Sequence, residues 1–132
     1  MSRYLLDTNI VIALSKGEAE PVRRMRLLTP DAICICSIVR AELMFGARKS
    51  ERVDENIRGF EALLEPFDSL SFDDAAAAEY GFIRADLERM GRPIGGNDLL
   101  IAAIARSKDC TVVTRNCREF DRVIGLRVES WD

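Results

Sequence analysis

Three carboxylates and one amide are the side chains of this chain best equipped to do chemistry together: Asp7, Glu42, Asp98 and Asn116. Each stands where a short apolar segment meets a polar one. Asp7 closes Tyr4-Leu5-Leu6. Glu42 lies in the first turns after the apolar run Ala32 to Cys36. Asp98 opens the apolar stretch Leu99 to Ala105, and Asn116 follows Cys110 to Val113. The chain has no His at all. That removes imidazole acid–base catalysis, His-dependent Ser and Cys nucleophiles, and every metal site that needs a His ligand. What remains is carboxylate chemistry with a hard divalent cation, Mg2+ or Mn2+, which prefers oxygen ligands. Gathering like charges costs stability unless a cation binds between them.

Each of the four residues also has a purely structural alternative. Asp7 and Asp98 can serve the N-termini of the helices they precede or open, where the helix dipole favours a carboxylate. Glu42 can be a solvated helix residue, and Asn116 a turn residue. Considered singly, the structural alternative is the simpler one. Considered together it weakens, because all four must then fall on one rim by coincidence.

The elements that position them follow from periodicity and punctuation. Tyr4 to Leu6, Ala32 to Cys36 and Cys110 to Val113 are short, apolar and partly β-branched, as buried strands are. Leu126 to Val128 is a candidate last strand. Helices are expected over Ile10 to Leu14, stopped near Gly17, and over Glu20 to Leu28, ending before Pro30. Ser37 can cap a helix carrying Val39, Glu42, Leu43 and Phe45. Glu51 to Leu64 is halted by Pro66. Asp73 or Asp74 caps a long helix from Ala75 to about Met90, ended by Gly91. Gly95-Gly96-Asn97-Asp98 opens the helix Leu99 to Ala105, and Arg115 to Phe120 is a short polar turn. Apolar strands alternating with helices predict a mainly parallel sheet covered on both faces. The expected fold is a three-layer α/β/α domain with a short central sheet and high helix content. In such a sheet, ligands bind beyond the carboxyl ends of the strands, which is where all four polar groups fall.

Composition sets outer limits. The 132 residues fit one domain, 1–132, and 48% hydrophobic with 31% charged residues is globular composition. The net charge of −3 makes any nucleic-acid site a local one. Sixteen of the 19 basic residues are Arg; Arg is the better bidentate phosphate ligand, although genome bias is a simpler source of the excess. No apolar run approaches membrane-spanning length. The N-terminus reaches Asp7 too early for a signal peptide, so a cytoplasmic protein without membrane attachment is expected. Cys34, Cys36, Cys110 and Cys117 form no C-x-x-C pair and are expected to be reduced thiols, mostly buried.

The ordered set of motifs resembles the PIN-domain ribonucleases, and among them the VapC toxins of bacterial toxin–antitoxin pairs. The matching segments are Leu5-Leu6-Asp7-Thr8-Asn9, Arg40-Ala41-Glu42-Leu43 with Phe45-Gly46, Asn97-Asp98-Leu99-Leu100-Ile101-Ala102-Ala103, and Thr114-Arg115-Asn116 through Phe120, with Trp131 at the end. No one segment is specific, but the set spans essentially the whole chain. The resemblance implies a metal-dependent endoribonuclease with Asp7, Glu42 and Asp98 as its acidic triad. The family often carries a fourth acid near the position of Asn116; here an amide stands there, with Glu119 the nearest acid. The resemblance also implies an RNA substrate such as tRNA, a small antitoxin partner and a homodimer.

The chemistry suits those roles. Phosphodiester hydrolysis must shield an anionic phosphate and activate a water, which a divalent ion does. Asp7 and Asp98 are the expected ligands, direct or through water, with Glu42 completing the site or orienting the attacking water. Arg115, Arg118 and Arg122 could hold an RNA backbone, or be solvated surface. Two rival readings remain. A phosphatase of the haloacid-dehalogenase kind also places an Asp after its first strand, but wants a second acid two residues on, where Asn9 stands. A non-catalytic partner-binding module on the same fold would not need three acids. For a partner surface, Met25, Leu27, Leu28, Ile57, Phe60 and Leu63 lie among charges on two helices. They are either core or the surplus that marks an interface.

Overall fold

The computed structural model describes residues 3–132. Five short strands form its sheet: β1 (Tyr4–Leu6), β2 (Ile33–Cys36), β3 (Asp68–Leu70), β4 (Thr111–Val113) and β5 (Val128–Glu129). Their order is β3-β2-β1-β4-β5, and every pairing is parallel. Parallel strands need long crossovers, and seven helices supply them: α1 (Thr8–Ser15), α2 (Ala19–Arg26), α3 (Ser37–Arg48), α4 (Val53–Leu64), α5 (Asp74–Arg89), α6 (Gly96–Ser107) and α7 (Cys117–Phe120).

Right-handed crossovers decide the layers. The chain steps from β1 outward to β2 and β3 through α1 to α4, then crosses back to β4 and β5 through α5, α6 and α7. The two sets therefore cover opposite faces, which gives the expected three layers. Leu5, Leu6, Cys34, Ile35, Val112 and Val113 on the central strands are fully buried, as strands covered on both faces must be. α6 is apolar nearly all round. Ile101 to Ala105 are fully buried, and small Ala side chains let this helix pack closely between its neighbours. α3 and α6 also touch each other, which brings the helices bearing Glu42 and Asp98 together.

The differences from expectation are local. β3 is an additional strand: Asp68-Ser69-Leu70 is short, polar and half exposed on a sheet edge, so it carries no apolar run to detect. The last strand falls at Val128–Glu129 rather than Leu126 to Val128. Ser37 is the first residue of α3 and does not cap it; Cys36 holds the cap position, with no side-chain hydrogen bond. Asp73 does cap α5, accepting the Ala76 N–H at 2.9 Å. The polar segment after β4 contains a single helical turn, α7. Cys34, Cys36 and Cys110 are buried thiols and Cys117 is half-buried, with no disulfide among the described residues. No helix among them is long and apolar enough to cross a membrane.

Candidate active site at the carboxyl rim of the sheet

Asp7 leaves β1 directly into α1. Its backbone is extended and its Oδ1 accepts the Thr8 N–H at 2.8 Å, so it caps α1. The capping alternative is thus correct, but it uses only one oxygen. The other, Oδ2, accepts a hydrogen bond from Thr114 Oγ1 at 2.7 Å. Thr114 is fully buried and follows β4, the neighbour of β1 in the sheet. Asp7 itself is only 5% exposed. Burial raises its pKa, Glu42 nearby raises it further, and the bonds from Thr114 and Thr8 pull in the opposite direction.

Glu42 is fixed from α1. Thr8 Oγ1 donates to Glu42 Oε1 at 2.8 Å. Thr8 therefore serves two acids, Asp7 through its N–H and Glu42 through its hydroxyl. Asp98 lies in the first turn of α6 but does not cap it: Gly95 holds the cap position, with no side-chain hydrogen bond. Asp98 Oδ2 instead accepts Asn116 Nδ2 at 3.0 Å. Its pKa is pushed up to about 6, first by burial, then by the charges of Asp7 and Glu119.

Asn116 joins the two halves. Its backbone N–H donates to Thr114 Oγ1 at 2.9 Å, and its amide donates to both Asp98 and Glu119. Glu119, one turn further on α7, also accepts the Gly95 N–H through Oε1 at 2.7 Å. Those two donors hold the Glu119 carboxyl below the usual range. The two carboxyls are shifted in opposite directions, Asp98 upward and Glu119 downward. All four expected residues thus come to one rim, linked by a run of hydrogen bonds through Thr8, Thr114 and Asn116. Glu119 is the further carboxylate that the structure brings to this rim and that motif reading leaves outside it. Its i,i+3 spacing from Asn116 is the signal that places both on one face once that segment is helical.

Of the three Arg residues named above, Arg115 and Arg122 already have partners within the chain. Arg115 pairs with Glu18 and Asp132, and its backbone N–H binds Asn9 Oδ1 at 3.2 Å. Asn9 therefore ties the start of α1 to the segment after β4. Arg122 donates to the Pro93 carbonyl at 2.8 Å. Arg118 is exposed, with no ion-pair partner among the described residues.

The donor set is all oxygen. Among the described residues no three acids or thiols converge tightly enough to cage an ion by themselves. The all-oxygen donor set is the kind that suits a hard cation such as Mg2+, which is commonly held by one or two carboxylates and keeps several waters. Close carboxylates with a raised pKa on Asp98 are the electrostatic counterpart of that fit, since a cation would relieve their repulsion.

A groove of about 730 Å3 opens beside the rim, between α1, α3 and α4. Ile12, Leu14, Leu43, Phe60 and Leu63 line it, and Glu42 lies at its edge. Two of the six apolar helix residues singled out above, Phe60 and Leu63, are thus groove lining. Met25 and Leu28 pack against the core, and Leu27 is 70% exposed.

Comparison with known proteins identifies the family. The family model "PIN domain" matches residues 4–126. The chain is 44% identical over 131 residues to the tRNA(fMet)-specific endonuclease VapC of Shigella flexneri, covering 99% of both. It is 43% identical to ribonuclease VapC2 of Haemophilus influenzae, again with 99% of both chains covered. Among solved structures, the DNA-bound VapBC complex of Salmonella typhimurium contains a chain that superposes with a TM-score of 0.92 at 39% identity, with 100% of both chains covered. With family model, near-full-length relatives and superposed fold in accord, the chain belongs to the PIN-domain family and, within it, to the VapC ribonucleases.

Proposed function

We propose that this chain is a metal-dependent endoribonuclease, the toxin of a toxin–antitoxin pair, acting on tRNA in the cytoplasm as one domain. The observation that carries the catalytic assignment is the hydrogen-bonded rim of Asp7, Glu42, Asp98 and Asn116, with Glu119 added. Asp7 and Asp98 would hold Mg2+ or Mn2+, with Glu42 and Glu119 beside them. When bound, that ion supplies a more acidic water and offsets charge on the phosphate. The chain's own work is positioning. Thr8 and Thr114 aim the Asp7 oxygens, and Asn116 aims Asp98. Glu42, anchored by Thr8 through Oε1 only, offers its second oxygen to orient the attacking water. Glu119, held ionised, maintains negative charge at the rim when Asp98 is protonated.

The Shigella flexneri relative is named a tRNA(fMet)-specific endonuclease, the Haemophilus influenzae one a ribonuclease, and the superposed Salmonella typhimurium structure is a VapBC complex. The apolar groove that ends at Glu42 suits a small antitoxin. Its apolar segment would lie along Phe60 and Leu63, and a basic side chain would reach the acids and displace the metal. A homodimer belongs to the same proposal; Leu27, Phe45 and Phe82, each 65% or more exposed, are apolar surface available to it. An RNase assay with and without the neighbouring gene's product tests the silencing. Phe60→Asp should weaken inhibition without removing cleavage. Undiminished cleavage by a bound complex would overturn the inhibitory role, and a strict monomer in light scattering would overturn the dimer.

A further inference from the structure

The acid rim has a second chamber behind it. Gly95 and Gly96 form the wall between them. A Cβ placed on Gly95 would stand 3.6 Å from Glu119 Oε1 and 4.0 Å from Asp98 Oδ2, so this residue borders the acids. Gly96 borders the other side, a recess of about 250 Å3 between α5 and the start of α6. A Cβ on Gly96 meets no atom within 4 Å. Leu87, Ile94 and Leu99 give the recess an apolar floor, and Tyr80 and Arg84 stand at its side.

The character of the recess selects its occupant. Tyr80 is braced edge-on by Phe72, with ring centroids 6.0 Å apart. Arg84 donates to Tyr80 Oη at 2.8 Å and to Glu88 Oε2 at 2.9 Å. The Arg84 charge is therefore already paired, and a phosphate would find no net attraction here. The Arg84 guanidinium lies over the Tyr80 ring, 6.0 Å from its centroid, so a flat neutral ring would find this cation–aromatic pair beside an apolar floor. The volume lies below the roughly 300–1,000 Å3 of pockets for drug-sized ligands, so it suits a fragment such as one base. Unpaired RNA bases are held by stacking on aromatic side chains and Arg planes.

We infer that the Tyr80–Arg84 recess receives one unpaired base of the RNA, next to the phosphate cut at the acid rim, with the two glycines keeping the wall thin. This rests on the ribonuclease reading for its substrate class. It makes the recess a specificity subsite that the acidic residues cannot provide, since they face only the phosphate.

The test uses RNA stem-loops in which each loop nucleotide in turn is replaced by an abasic ribose or by 2-aminopurine. Gly96→Leu fills the recess from the open side of a residue with ordinary backbone angles; Tyr80→Leu removes the stacking ring. With the parent protein, an abasic change at one position flanking the cut lowers kcat/KM by about fivefold or more, the range of base–aromatic stacking. In both variants that same change has little further effect. Equal abasic penalties in the parent and in Gly96→Leu would overturn the recess, and a folded circular dichroism spectrum of either variant keeps that comparison valid. Binding in EDTA, read by 2-aminopurine fluorescence, separates this claim from the nuclease claim. Quenching that Gly96→Leu abolishes, with no cleavage in Mn2+, would uphold the recess and remove the nuclease reading. Cleavage without quenching at any loop position would do the reverse.

Discussion

Thr114 and Asp7 are 107 residues apart in sequence, yet the buried Thr114 hydroxyl donates to Asp7 Oδ2 at 2.7 Å. The same hydroxyl accepts the Asn116 N–H at 2.9 Å. One fully buried oxygen therefore aligns the acid after β1 with the turn after β4 that carries the amide on Asp98.

Removing that hydroxyl should cost more than one hydrogen bond. Thr114→Val keeps the shape but leaves a buried carboxylate oxygen and the Asn116 N–H without their partner, a penalty of about 1–3 kcal/mol. Outer partners of metal ligands are worth about 10–100-fold in metal affinity or activity, and a loss of that size is expected in Mn2+ affinity by calorimetry. Thr114→Ser should restore most of it. Equal affinity in Thr114→Val and the parent would remove Thr114 from the site.

The metal-free protein should have an unusual pH dependence of stability. Asp98 has its folded pKa raised to about 6 from 3.8, so the folded state holds this proton more tightly than the unfolded chain. Its contribution is complete below about pH 4 and is lost as pH rises through about 6. Asp7, also raised, acts in the same direction. In EDTA, the melting temperature of Asp98→Asn should fall less than that of the parent between pH 4 and 6.5. Parallel curves for the two would contradict the raised pKa.

Metal should reverse that trend. A cation bound only by the folded state stabilises it by mass action, roughly 2.7 kcal/mol at a free concentration a hundred times the dissociation constant. Differential scanning fluorimetry at pH 7.5 should show the melting temperature rising with Mn2+ in the parent and far less in Asp98→Asn. An equal rise in both would place the ion elsewhere.

Glu119 should matter although it lies outside the acidic triad. It adds to the charge that raises Asp98 and closes the Gly95 N–H. Glu119→Gln should therefore lower the Asp98 pKa, moving the acid limb of the cleavage pH profile to lower pH, and reduce cleavage. An unmoved acid limb would show that the two carboxyls do not interact.

Much of this site is legible in the sequence because parallel α/β topology puts the carboxyl ends of strands on one edge. Asp7 directly follows β1, Asn116 comes soon after β4, Asp98 opens α6, and Glu42 lies in the first turns of the helix leaving β2, so recognising those segments is enough to bring them together. Side-chain hydroxyls are not legible in that way. Thr8 and Thr114 matter through the direction of one Oγ1 atom, which apolar periodicity does not encode. β3 escapes for a different reason: at a sheet edge a strand can be three residues long and polar. Glu119 is visible as an acid, but its membership depends on one helical turn, α7, too short to leave a period.

On the proposed reading, the acidic rim cuts RNA with a divalent ion. The most direct measurement is cleavage of a tRNA transcript by the parent and by Asp7→Asn and Asp98→Asn, each in Mg2+ and Mn2+ and in excess EDTA, with circular dichroism on all three proteins. The predicted result is cleavage by the parent with metal, none in EDTA, and a loss of at least about a hundredfold in both folded variants, within the range removed with essential catalytic groups. Full cleavage by either variant, or by the parent in EDTA, would contradict it.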